Sequence, residues 1–315
     1  MEEPPAGAGS DTPRVAIVAG DPLAVDQAAR ELLRQLTEHA VPGHAVDVIV
    51  GARDAPAGFD LIHLLTDVPA WRHGAGVPVV ASAATAPGDA ELILSPSRAG
   101  DQRLIGRGVH PERIARFQRG VDARRYHPAR FAPEALPPPA AFDILHVGDD
   151  GLELAVDAFG VARDHNPRLR LVHVGARDAH RGSLGSHAVH VPDPTADELA
   201  TLYASSDLLL VTDPGDAGDG ILEAQASGLP VLAVNTGAAP ELIANGRDGC
   251  LIVSDPLSIA AALQGLARRA ALLERLATGG LLAVRTRTWD RALEQLAEAY
   301  SRALQPALGE IARAA

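Results

Sequence analysis

The sequence predicts an α/β fold with two doubly wound parallel sheets, on three observations. Short apolar runs alternate with stretches of helical periodicity, the pattern of right-handed βαβ units. The alternation halts at residues 127–141, HPARFAPEALPPPAA, whose five prolines read as a stiff linker, and then restarts. A length of 315 residues gives each half enough chain for its own core. The expected organisation is a disordered lead at 1–13, a first domain at 14–126, the linker, a second domain at 142–287 and a helix at 288–315 that returns to the first domain.

The elements follow in order. RVAIVA at 14–19 is the first strand, and a helical pattern runs from about residue 23 to residue 39. AVDVIV at 45–50, FDLIHLL at 59–65, VPVVAS at 77–82 and ELILSPS at 91–97 supply further strands, with a helix from 98 to about 107. Consecutive apolar positions in these runs imply strands covered on both faces. After the linker come DILHVG at 143–148, a helix to about 165, LRLVHVG at 169–175, AVHV at 188–191 and DLLLVT at 207–212. In the last helix Trp289, Leu293, Leu296 and Tyr300 recur at helical spacing, so one face is apolar.

The most informative stretch is 199–253. It reads as helix, strand, glycine-rich turn, short helix, strand, turn and helix, with Glu223 on the helix after the first turn. Such a unit places amide donors and one carboxylate at the carboxyl edge of a parallel sheet, where open α/β folds bind ligands.

Composition bounds the function. Apolar residues are 47% of the chain and aromatics 3%, so Ala, Val and Leu must build the cores. A net charge of −12 argues against nucleic-acid or anionic-membrane partners. The lone cysteine, Cys250, excludes an intramolecular disulfide and suits a reducing compartment. No window holds the roughly 18 apolar residues of a membrane span, and the acidic, proline-rich start is unlike a signal peptide. The expectation is a soluble cytoplasmic protein.

Five segments carry a resemblance. SPSRAGDQRLIGRGVHPERI at 95–114, RGVDARRYHP at 119–128, ELATLYASSD at 198–207, EAQASGLPVLAVNTGAAPELI at 223–243 and the helix around Trp289–Tyr300 stand in a familiar order and spacing. The chain resembles the retaining glycosyltransferases of family 4 over nearly its whole length from Arg14. The resemblance implies a GT-B fold, two Rossmann-like domains facing a cleft. It implies transfer of a hexosyl group from a nucleotide-diphosphate sugar to an acceptor, with retention and without a metal ion or other cofactor. Glu223 is the expected ribose contact, and the amides around Gly218 and Gly237 lie near the phosphates. Glu241, Gly148 and Gly175 complete the expected donor site.

The departures from the family are as informative. Gly215 stands where the first of two spaced glutamates belongs, flanked by Asp213 and Asp216. The family has an Arg after the Val-Gly of the first donor-domain strand and a Lys in the next loop. Here Val147 and Gly148 are followed by Asp149, Asp150 and Glu153, and neither cation remains. Two unit charges about 4 Å apart interact by roughly 4 kcal/mol at an effective dielectric of about 20, so the exchange bears directly on donor binding. Arg177 and Arg181, in GARDAHRG at 175–182, are the nearest substitutes in sequence. In the first domain, Ala19-Gly20-Asp21-Pro22 replaces a Gly-Gly turn, and Ala84 stands where a His often faces the donor sugar. His63, His146 and His173 lie in strands and read as core or edge residues. Arg119, Arg124 and Arg125 sit at the domain junction.

No GxGxxG, Walker A run, GxSxG elbow or Cys/His cluster is present, which sets aside dinucleotide oxidoreductases, P-loop NTPases, serine hydrolases and zinc enzymes. The aspartates of DPGDAGD, Asp213, Asp216 and Asp219, lack the spacing of a calcium loop. No catalytic residue is assigned. Two readings stay open: a divergent nucleotide-sugar-dependent transferase, or a catalytically deficient homologue acting as a partner subunit, scaffold or nucleotide sensor. The second leaves room for a protein partner or a homo-oligomer.

Overall fold

The computed structural model describes residues 12–19, 27–51, 54–66, 77–82, 90–130, 141–175, 188–213 and 218–305. Residues 1–11 of the expected lead and 131–140 of the expected linker lie outside them. So do the segments holding Gly20, Asp21, Pro22, Ala84, Arg177, Arg181, Gly215 and Asp216. The chain divides into two units: residues 1–96, 100–118 and 290–315, and residues 97–99 with 119–289.

The first unit carries β1 (Arg14–Ala19), α1 (Gln27–Glu38), β2 (Ala45–Val50), β3 (Leu61–Leu64), β4 (Val79–Ser82), β5 (Leu92–Ser95), most of α2 (Arg98–Gly106) and β6 (Ile114–Arg116). Its parallel sheet has the order β2-β1-β3-β4-β5-β6. Alternate residues Ala16, Val18, Ile62, Leu64, Val79, Ala81 and Ile93 form one core face. The strand β2 corrects the expectation of two covered faces. Among the described residues it pairs with β1 alone, at the sheet edge, and leaves Val48 and Val50 41% and 50% exposed. The three-residue β6 is too short to show as an apolar run. Its tie to the last helix (Trp289–Ala303), which belongs to this unit from Asp290 on, is polar: Arg302 donates to the carbonyls of Ile114, at 3.2 Å, and Glu112.

That last helix buries Trp289, Leu293, Leu296 and Tyr300, the four residues its periodicity singles out. Within the first unit the Tyr300 hydroxyl lies 2.8 Å from His63 Nδ1, and His63 Nε2 is 3.4 Å from Ser82 Oγ. His63 is fully buried, and burial pushes its pKa down to about 3. It is a core residue held neutral.

The second unit carries β7 (Phe142–Val147), α3 (Leu152–His165), β8 (Leu169–Gly175), β9 (Ala188–Pro192), α4 (Ala196–Ser205), β10 (Leu208–Val211), α5 (Asp219–Ala226), β11 (Val231–Val234), α6 (Ala239–Leu242), β12 (Cys250–Ile252), α7 (Pro256–Ala267) and α8 (Ala270–Val284). The helix Trp289–Ala303 is α9. This sheet, also parallel, has the order β12-β11-β10-β7-β8-β9. The chain starts at the centre, runs out to β9, then returns past β7, so the strand order reverses between β7 and β10.

Alternation along each strand splits the core in two. Ile144, Leu171, Leu208, Leu210, Leu232 and Val234 pack with α3 and α7 residues such as Phe159 and Leu263. Leu145, Val172, Leu209, Val231 and Ala233 pack with Leu199, Tyr203, Ile221 and Leu222 from α4 and α5. Both faces are apolar because both are covered. The helix α4 starts in a capping box: Thr195 Oγ1 accepts the Glu198 N–H at 3.2 Å, and Glu198 Oε2 accepts the Thr195 N–H at 2.8 Å.

Candidate functional site

The reversal between β7 and β10 is where an open α/β sheet leaves a crevice at its carboxyl edge. From the β7 side, the strand ends at Val147 and turns through Gly148, at φ 95°, into Asp149. The helix α3 then starts after Gly151. From the β10 side, Thr212 follows the strand and donates to the Gly151 carbonyl at 2.8 Å. That bond fastens the end of β10 to the start of α3.

Behind this edge lies a row of histidines. The register pairs His146 of β7 with His173 of β8, and His173 with His190 of β9. His146 Nδ1 and His173 Nδ1 are 3.3 Å apart, and the His173 and His190 rings stack with centroids 5.4 Å apart. His146 Nε2 reaches Thr212 Oγ1 at 2.9 Å. At the other side of His173, Nε2 lies 3.5 Å from Asp149 Oδ1. Burial, then the neighbouring His173, pushes the His146 pKa down to about 3, while Asp149 opposes the shift. His146 is therefore neutral at pH 7.

The β10–α5 turn supplies the second half of the site. Gly218 caps α5 at φ 64°, ψ 0°, the left-handed region that favours glycine. A Cβ there would also press on Leu242 Cδ1, the movable end of an α6 side chain, so it is the conformation that selects glycine. Asp219 opens α5 and pairs with Arg119 at 2.5 Å. Glu223 follows one turn later, partly exposed, next to the buried Tyr203 hydroxyl of α4. Burial first, then the negative charge of Glu223, holds the Tyr203 phenol well above its ordinary range. After β11 the chain turns through Gly237, at φ 57°, into α6 and Glu241. Glu241 Oε1 accepts the Arg98 N–H at 2.5 Å from the segment 97–99 of this same unit.

All six of the sequence-predicted donor-site residues thus lie at strand ends or in the elements that follow them. Gly148 and Gly175 end β7 or β8, Gly218 and Glu223 belong to the start of α5, and Gly237 and Glu241 to the turn into α6. Arg119 joins the site through Asp219. Arg125 lies apart from it, 3.6 Å from Asp197 in the first turn of α4, and the Arg124 N–H is bonded to Asp122 Oδ1. Thr212, Tyr203 and the coupling of His146 to His173 are additions that sequence reasoning missed. A signal for the histidines existed: three strands end in His-Val-Gly, His-Val-Gly and His-Val-Pro, at 146–148, 173–175 and 190–192. Among the described residues no group of three or more His, Cys, Asp or Glu is arranged to hold a metal ion.

Residues 142–269 match the protein family described as glycosyl transferases group 1. The chain is 31% identical over 240 residues to a GDP-mannose-dependent alpha-mannosyltransferase of Mycobacterium tuberculosis, covering 68% of this chain and 62% of that protein. It is 28% identical over 241 residues to a D-inositol 3-phosphate glycosyltransferase of Streptomyces bingchenggensis, covering 68% of this chain and 53% of that protein. The chain thus spans between 53% and 62% of the length of these relatives. Among solved structures, Anabaena HepE in complex with UDP and glucose superposes with a TM-score of 0.69 at 16% identity, over 92% of this chain and 99% of that one. At that identity the likeness concerns the fold.

Proposed function

We propose that this chain, whose second unit is a group 1 glycosyltransferase domain of GT-B type homologous to mannosyl- and inositol-phosphate glycosyltransferases, binds a nucleoside-diphosphate sugar at the carboxyl edge of β7, β8, β10 and β11. The reaction we assign is transfer of a hexosyl group to an acceptor with retention and without a metal ion. One observation carries the reading: Gly218 in the left-handed region opens α5, and Glu223 stands one turn in, partly exposed.

The chemistry follows from those groups. The N-terminus of α5, which follows Gly218, favours an anion through the helix dipole. The Glu223 carboxylate accepts hydrogen bonds from a vicinal diol, and its neighbour Tyr203 fixes the environment of that carboxylate. Gly148 and Gly237 leave backbone free of side chains beside the ligand path.

A second reading is favoured by a specific observation. Asp149 occupies the β7–α3 turn, where a departing diphosphate needs positive charge. On that ground the chain is a nucleotide-binding homologue with little or no turnover.

Calorimetric titration with UDP, GDP, ADP and dTDP separates these outcomes. One nucleotide should bind, and Glu223→Ala should abolish the heat while leaving the melting temperature nearly unchanged. Absence of binding by every nucleotide at millimolar concentration would overturn the donor-site reading. Binding without turnover across an acceptor screen would support the second reading over the first.

A further inference from the structure

Four contacts link Gly151 to Asp149 through three side chains. They run from the Gly151 carbonyl to Thr212 Oγ1, from Thr212 Oγ1 to His146 Nε2, from His146 Nδ1 to His173 Nδ1, and from His173 Nε2 to Asp149 Oδ1. Both ends of this chain, a carbonyl and a carboxylate, are acceptors only. The first three contacts are hydrogen bonds, and the three protons owned by a threonine and two neutral histidines satisfy them. The fourth, at 3.5 Å, is an ion-pair approach, which becomes attractive only when His173 carries one more proton.

We propose that the Thr212–His146–His173–Asp149 relay holds that added proton at its His173–Asp149 end, so that His173 sets the charge presented by the β7–α3 turn. The location follows from the contacts. Among the described residues, His146 lies between Thr212 and a second imidazole with no counter-ion in contact, whereas His173 has the Asp149 carboxylate at Nε2. Burial and His173 together disfavour charge on His146. The titratable groups packed against His173 from the described elements are His146 of β7, His190 of β9 and Asp149 of the β7–α3 turn. Only Asp149 favours a cation.

Gly175 is built around the same pair. A Cβ at this position would collide with both Asp149 Oδ1 and His173 Nε2. A bare backbone at the end of β8 is therefore what lets the carboxylate and the imidazole approach. The His173 ring is fully buried while the Asp149 side chain is 37% exposed, so the proton is kept inside and its electrostatic effect is displayed outside.

The consequence rests on the donor-site reading above. With the proton in place the pair is neutral and the turn accepts an anionic phosphate. Without it, the turn carries an unneutralised carboxylate facing that phosphate. Phosphate binding at this edge is then linked to uptake of a proton, and His173 is a positioning residue acting through Asp149.

Two measurements test this independently. In the first, the histidine rings of the full-length chain are labelled with ¹⁵N and followed by NMR between about pH 5 and 9. His173 should titrate with both ring nitrogens protonated at the acid end, and Asp149→Asn should lower its midpoint. A His173 ring that stays neutral across the range, unmoved by Asp149→Asn, would overturn the relay. In the second, UDP and GDP are titrated by calorimetry in buffers of different ionisation heat. Binding should take up as much as one proton, with affinity falling as much as about tenfold per pH unit above the His173 midpoint. Both effects should vanish in Asp149→Asn, which should bind more tightly at alkaline pH, and in His173→Leu. Nucleotide binding without proton uptake would overturn the linkage. A titrating His173–Asp149 pair with no nucleotide bound at any pH would support the relay and overturn the donor-site reading instead.

Discussion

Acid should destabilise the first unit through one side chain, and the size of the effect follows from its burial. His63 is fully buried between Tyr300 and Ser82, with its pKa pushed from 6.5 to about 3. Between those values the unfolded chain binds a proton at this residue and the folded chain does not. Stability from this source is therefore complete above pH 6.5 and is lost as pH falls toward 3. Each pH unit is worth about 1.4 kcal/mol, so moving from pH 7 to pH 4.5 should cost about 3 kcal/mol at His63 alone. Carboxylates and His146 titrate too, so the comparison must cancel them. The double variant His63→Leu/Tyr300→Phe removes the imidazole and the buried Tyr300 hydroxyl together, and the remaining contact, Ser82, is only partly buried. Urea midpoints followed by circular dichroism at pH 7 and 4.5 give the loss for each protein. The variant should lose about 3 kcal/mol less than the native chain over this interval. Equal losses would refute the assignment of a neutral buried imidazole at position 63.

Two further predictions concern the β10–α5 half of the site. Gly218→Ala places a side chain at φ 64° and against Leu242 Cδ1, so urea denaturation should show a loss of about 1–2 kcal/mol, and nucleotide affinity should fall because the first amides of α5 must shift. Tyr203→Phe removes a buried hydroxyl beside Glu223; stability should change by less than about 1 kcal/mol, while calorimetry should show nucleotide binding weakened as much as about tenfold.

The parallel strands of both units are legible because apolar runs such as LLLV in β10 bury every or nearly every residue, which leaves no ambiguity of face. The sites of failure are the places where tertiary context decides. AVDVIV of β2 has the composition of a central strand, and its position at the edge is a property of strand order that no local pattern records. The strands β6 and β12 hold three residues each, and exist through pairing with β5 and β11 rather than through propensity. At the site, Gly218, Glu223, Gly237 and Glu241 are legible because turn glycines and helix-start carboxylates are spaced locally. Histidines 27 residues apart are not. Their contact depends on in-register pairing of β7 with β8, and the repeated His-Val-Gly ending becomes a signal only once the strands are known to be neighbours. Arg119 illustrates the same limit: it meets Asp219 across 100 residues of chain.

The charge at the β7–α3 turn separates affinity from turnover. Neutralising Asp149 through His173 removes a repulsion but adds no attraction. On the proposed donor-site reading a bound diphosphate tolerates that state, since the Glu223 carboxylate can still hold the nucleoside end. A departing diphosphate does not, because negative charge grows on it as the glycosidic bond breaks and preorganised cations are what lower that barrier. One unit charge about 4 Å away is worth roughly 4 kcal/mol at an effective dielectric of about 20, which corresponds to about three powers of ten in rate. On the proposed reading, a turn without a cation therefore weighs mainly on the chemical step. On the proposed reading, the geometry that links nucleotide binding to one proton also makes turnover depend on positive charge brought from elsewhere, and Arg119, engaged with Asp219 at the opening of α5, is a cation that the described part of the site holds.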